Sequence, residues 1–322
     1  MQGKLHTYLT ENRLCLFGIA LIWIFFRHTF FYNSFSFGVF DSLVRIGDIG
    51  VDIFMFLSAY GLSCSYQKNR DKRRYFKRRL FRILPGVILL LFSFAIVDTV
   101  IFGAKPYQCI HPRYWFDSLY STYWFIGAIV LFYIVFPFLF DLLEKVKLQT
   151  PFIVLTSFLL SVILVYLILQ IHSNRLYQLV VYFARIPILL IGIMMATRGF
   201  WKSPIVLVCL IIAIPLIYTL PKDYQRISYS LLTIPIVTYL PVLLNKIHVI
   251  IKKPFEFVGV CSLEFYLIHI YLLKNNSLGI VDGFVHSEII TSLVVLAVVI
   301  LAAVLSNRII GFLSEHILQK RC

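Results

Sequence analysis

Apolar stretches of about 20 residues follow one another along the chain, separated by short polar segments. That is the length a helix needs to cross a hydrocarbon layer. Ten such stretches stand out, at 14–31, 43–66, 83–103, 120–140, 151–171, 178–197, 204–220, 229–245, 254–274 and 287–307. Lipid cannot satisfy backbone N–H and C=O groups, so spanning elements must be helices or a closed barrel. The stretches are about twice as long as barrel strands and do not alternate in polarity, which favours helices. The expected fold class is an all-α polytopic membrane protein with about ten transmembrane helices, read as one membrane domain over residues 1–322 with no appended soluble domain. No cleavable signal peptide is expected, because the first apolar stretch is long and carries Arg27 and His28.

Composition sharpens this reading. Of 322 residues, 60% are hydrophobic and 14% charged, against about half and about a quarter in a soluble domain. The net charge of +15 does not indicate a nucleic-acid partner, because Lys and Arg sit between the apolar runs. Segments 1–13, 67–82, 141–150, 197–203, 245–253 and 308–322 hold 21 basic residues, whereas 32–42, 104–119, 172–177, 221–228 and 275–286 hold 5. Positive loops stay in the cytoplasm, so both termini are expected inside. The longest outer segment, 104–119, contains Lys105, His111, Arg113 and Asp117 but nothing specific. The six cysteines, Cys15, Cys64, Cys109, Cys209, Cys261 and Cys322, form no CxxC pair and no metal-ligand spacing, so neither a disulfide framework nor a metal site is expected. No internal repeat of the kind found in many secondary transporters is visible.

Ionisable groups inside apolar runs are costly and point to function. His28, beside Arg27, lies 15 residues beyond Arg13, roughly 20 Å along a helix and close to the outer face. A histidine there can take a proton from a hydroxyl. Arg45, Asp48 and Asp52 fall at i, i+3 and i+7 and share a helix face. Arg45 and Asp48 read as an interfacial ion pair, and the deeper Asp52 as the carboxylate that orients His28. Residues 68–82 hold nine basic side chains and one acidic one. Within them Arg78, Arg79 and Arg82 abut the third apolar run, where guanidinium groups suit a phosphorylated donor; anionic lipid headgroups are the competing ligand. Trp124 and Arg185 lie in later runs, and Ser262, Tyr266 and His269 share one face at i, i+4 and i+7, with Glu264 expected to point elsewhere.

These motifs, in this order, resemble the acyltransferase-3 family of membrane acyltransferases. Gly50-Val51-Asp52-Ile53-Phe54-Met55-Phe56-Leu57-Ser58 resembles the family's GVDxFFxLSG run, and Arg79, Arg82, Ile83 and Pro85 its RxxRI-P motif. Trp124-Phe125, then Arg185, Pro187 and Gly192, then Ser262, Tyr266, Leu267 and His269 resemble its later signatures. The resemblance implies transfer of an acyl group, usually acetyl, from cytoplasmic acyl-CoA to a hydroxyl of an extracytoplasmic glycan or polysaccharide at the plasma membrane. It matches His28 to the family's essential histidine and Arg79 and Arg82 to its donor-binding arginines. Three positions depart from the pattern. Phe17 stands where a basic residue is usual, with Arg13 a helical turn earlier and about 60° off the His28 face; Ala59 and Glu264 replace small residues.

The site expected from sequence therefore comprises His28 and Asp52 as catalytic groups and Arg78, Arg79 and Arg82 as donor ligands. Arg13, Arg27, Asp48, Trp124, Arg185, Ser262, Tyr266 and His269 are expected around the cavity. Acyl-CoA, first of all acetyl-CoA, is the expected donor, with no metal; membrane lipid and the glycan acceptor are the expected partners, and a homodimer is compatible. The competing classes are a transporter or flippase of a glycan or lipid intermediate, and an acyltransferase acting on lipid or protein. Sequence leaves open whether His28 acts as a base or carries the acyl group.

Overall fold

A computed structural model describes residues 2–101, 103, 120, 122–146, 149–171, 173, 176–199, 203–275 and 277–319. The segment 104–119, with Lys105, His111, Arg113 and Asp117, lies outside the described residues, as do Cys109 and Cys322. Fifteen helices are described: α1 (Gln2–Glu11), α2 (Arg13–Asn33), α3 (Asp41–Arg45), α4 (Ile49–Lys68), α5 (Lys72–Val100), α6 (Trp124–Lys145), α7 (Thr150–Gln170), α8 (Tyr177–Phe183), α9 (Ile186–Arg198), α10 (Ser203–Thr219), α11 (Lys222–Lys246), α12 (Val249–Val260), α13 (Ser262–Lys274), α14 (Ser277–Val285) and α15 (Glu288–Gln319).

The protein is an all-α polytopic membrane protein. Eight helical spans among the described residues are long and apolar enough to cross a membrane, with α8 and α9 forming one of them. A ninth is the α12–α13 pair, bent by 75° at Cys261. The remaining expected stretch, 204–220, forms α10, a shorter apolar helix of 17 residues, about 25 Å of helix rise against a hydrocarbon core of about 30 Å.

Helix α4 lies at the centre, packed against α2, α9 and α11. Helices α7 and α15 turn Leu155, Leu159, Leu293 and Leu301 outward, as lipid-facing helices do. Small residues bring the central helices close, which is how packing is gained where lipid competes with every apolar side chain. A Cβ on Gly18 would overlap the Phe255 carbonyl, and one on Gly259 the Leu14 carbonyl, so two glycines set the α2–α12 crossing. Gly192 does the same on α9, against the Phe56 carbonyl and the Ala59 methyl; the extra methyl of Ala59 is accommodated there.

Two prolines leave backbone carbonyls without the usual donor four residues on, and a side chain replaces each lost bond. Pro137 has no N–H for the Tyr133 carbonyl, and the Tyr75 hydroxyl donates to it at 3.1 Å. Pro187 deprives the Phe183 carbonyl, and Ser161 Oγ donates to it at 2.6 Å. The first repair fixes Tyr75 against α6. The second holds open the break at Ala184 and Arg185, which aims Arg185 into the bundle.

Candidate active site

His28 sits near the end of α2, half-buried, in a cavity of about 220 Å³ with Arg27, Asp48, Trp124, Arg185 and Arg226 in its wall. His28 Nδ1 is 3.0 Å from His269 Nε2, and the rings are nearly parallel, 13° apart at a centroid distance of 5.2 Å. His269 Nδ1 lies 2.9 Å from the Phe265 carbonyl, one turn back on α13. A carbonyl only accepts, so His269 Nδ1 must donate. In a neutral imidazole its Nε2 is then the acceptor, and His28 Nδ1 donates to it. The chain Phe265 carbonyl, His269, His28 therefore leaves the lone pair of His28 on Nε2, the geometry required of a proton acceptor or nucleophile.

Asp52 does not take the position expected of it. It is fully buried, 3.7 Å from Arg185 Nε, and accepts a bond from Ser230 Oγ at 3.4 Å. The break at Arg185 brings this pair together: Arg185 also donates to the Val181 carbonyl at 2.9 Å and lies over the Trp124 ring at 5.0 Å. The carboxylate expected to orient His28 instead neutralises a buried guanidinium, and His269 occupies the orienting position. The expected Arg45–Asp48 pair is likewise corrected. A turn at Ile46–Asp48, around Gly47, separates α3 from α4, so Asp48 pairs with Arg27 at 3.8 Å while Arg45 lies over Phe30.

The opposite end of the same helices holds a second cavity, of about 130 Å³. Arg13 from α2 and Arg79 and Arg82 from α5 enter it with Ser58, Ser262, Glu264 and Asn307. Arg79 lies over both Tyr75 and Tyr133 at 5.7 Å, the two residues joined by the repair at Pro137. Gly61 leaves room for the Arg13 guanidinium, 2.5 Å from where a Cβ would stand, and Arg13 stacks on Phe17. Among the described residues none of the three arginines forms an ion pair, and Nε of Arg13 and of Arg79 is buried without a hydrogen bond. Other cations of the basic segment are already engaged: Arg70 binds both oxygens of Glu144 at 2.6 Å, which pushes its pKa up, and Lys72 pairs with Asp141 at 2.9 Å. Three convergent guanidinium groups, none within ion-pairing distance of a carboxylate among the described residues although Glu264 shares the cavity, suit a polyanionic ligand. Tyr266 lines both cavities and, among the described residues, is the one side chain they share.

A family model described as an acyltransferase domain matches residues 18–308. The chain belongs to the acyltransferase-3 family. Neither a curated protein nor a solved structure matches it.

In this acyltransferase most of the expected residues divide between the two cavities, while Asp52 and His269 line neither. Arg27, His28, Asp48, Trp124 and Arg185 line the first; Arg13, Arg79, Arg82 and Ser262 line the second. Arg13 lines the second cavity although it precedes the matched stretch. Arg78 lines a small recess with Asn69, Asp71 and Arg74, and Arg79 lines both that recess and the second cavity. Glu264 faces the second cavity with Ser262 and Tyr266, against expectation, because the bend at Cys261 starts α13 at the cavity wall, where Ser262, Leu263 and Glu264 all line it. It accepts a bond from Asn307 Nδ2 at 3.2 Å. Sequence reasoning missed Asn307 and Arg226. An asparagine at the end of the last apolar run was the signal for the first; Arg226 was absorbed into a count of loop charges.

Proposed function

We propose that this acyltransferase moves an acyl group, acetyl before others, from cytoplasmic acyl-CoA to a hydroxyl of an extracytoplasmic glycan at the plasma membrane. The observation that carries this is the pairing of the two cavities: an unpaired arginine cluster at the end bearing the basic segment, and a histidine with an open Nε2 at the other, meeting at one side chain. The preponderance of basic residues at the arginine end supports a cytoplasmic placement for it, with both termini inside. The CoA phosphates bind Arg13, Arg79 and Arg82, with Arg78 nearby. The pantetheine arm lies along the bundle axis and brings the thioester to the junction. The acceptor hydroxyl enters from the other side and gives its proton to His28 Nε2 as it attacks. A transporter of the same class of intermediate would need no histidine tautomer fixed in this way.

The test is thiol release from acetyl-CoA by the purified protein in nanodiscs. Turnover is expected in the wild type. Its absence with water, glucose and a cell-wall polysaccharide extract as acceptors, and with succinyl-CoA also tried, would favour the transporter. Arg79→Ala/Arg82→Ala is expected to raise the donor KM by at least about tenfold, from loss of charge-assisted bonds to phosphate. The maximal rate should fall less than the affinity, because neither arginine reaches the reacting atoms. An unchanged donor KM would remove the arginine cluster from the donor site.

A further inference from the structure

We infer that Tyr266 is a catalytic hydrogen-bond donor to the thioester carbonyl, placed where the two cavities meet; the inference rests on the acyl-transfer reading above. Tyr266 is buried, 6% exposed. Among the described residues its hydroxyl makes no hydrogen bond of normal geometry, although the Phe125 backbone lies near it. A buried hydroxyl left in this condition is costly, and a ligand atom that completes it recovers the cost. The surroundings indicate which atom. The Tyr266 ring meets the His269 ring edge-on at 5.6 Å and the Phe125 ring at 5.2 Å, so it is fixed against the same histidine that orients His28. Tyr266 lines the arginine cavity and the His28 cavity alike, so a group reaching from one to the other comes against this side chain, and an acyl thioester carries one oxygen able to accept from its hydroxyl.

The step balances with no other reactant. The acceptor oxygen forms a bond to the thioester carbon while its proton passes to His28 Nε2. The carbonyl π pair moves to oxygen, where the Tyr266 O–H donates to the developing negative charge. Collapse of that oxyanion re-forms the carbonyl and breaks the C–S bond. The thiolate takes the proton from His28, giving ester and free thiol. A donor aimed at charge that develops only in the transition state lowers the barrier without tightening ground-state binding.

Tyr266→Phe keeps the ring and removes only the hydroxyl. In nanodiscs with acetyl-CoA, its kcat is expected to fall about 10²-fold, the usual loss for one such donor. The donor KM, and binding of an unreactive thioether analogue of acetyl-CoA, should change less than about threefold. Wild-type kcat in Tyr266→Phe would overturn the inference while leaving the acyl-transfer reading intact. Loss of analogue binding in step with kcat would also overturn it, because it would make Tyr266 a packing residue of the donor path. A wild type that releases no thiol would remove the acyl-transfer reading and this role with it.

Discussion

Replacing His28 by alanine is expected to lower acyl transfer by about 10³-fold, the middle of the range for losing a positioned general base, with the thermal unfolding of the protein little changed. The residue is half-buried at a cavity wall, its ring contacts are with His269 and Tyr32, and its removal leaves no buried charge. The companion variants at His269 test how it is held. His269→Ala removes the acceptor for His28 Nδ1, so the imidazole loses its fixed tautomer. His269→Gln offers a carbonyl at a similar reach and is expected to recover part of the rate. Kinetics of thiol release across the three variants check this. A His28→Ala protein within tenfold of wild type would exclude His28 as base, and equal losses in His269→Ala and His269→Gln would exclude the orienting bond.

Asp52→Ala is expected to cost about 3–5 kcal/mol of stability, the usual consequence of stripping one partner from a buried ion pair. Arg185 is 2% exposed, and without the carboxylate its charge is left with one carbonyl, the Trp124 ring and the more distant Asp48. Removing the charge too should reverse much of the loss, so Asp52→Ala/Arg185→Met is expected to melt above Asp52→Ala. Asp52→Asn, which keeps an acceptor for Ser230, should fall between. Unfolding of the detergent-solubilised protein by denaturant reads all three. A double variant no more stable than Asp52→Ala would show that the pair serves something other than mutual neutralisation.

The spans were legible because lipid permits so few answers: apolar length alone marks a helix, and every long helix found was expected. The breaks within them were less visible. Hydropathy is blind to the bend at Cys261, where α12 and α13 are equally apolar, and spacing alone turns Glu264 away from the cavity that it lines. The break at Arg185 had a sequence signal in Pro187, which has no N–H for the carbonyl four residues back. Individual site residues were legible as polar intruders in apolar runs; their partners were not. Periodicity places Asp52 on a face of α4 but carries no information about α9 or α13, so nothing in the spacing could decide that Arg185 would claim the carboxylate and His269 the imidazole.

A membrane voltage falls across whatever separates the two aqueous compartments. In this fold the two cavities lie toward opposite ends of α2 and share Tyr266, so if both fill with water most of the potential drops over the thickness of a side chain. One elementary charge carried through a full 100 mV is worth about 2.3 kcal/mol. A proton that changes sides at this point would feel nearly all of it, whereas an uncharged acyl group would feel none. If the thiolate is neutralised by the proton that the acceptor surrendered, that charge crosses with the reaction, and turnover in sealed vesicles becomes a function of the potential imposed on them.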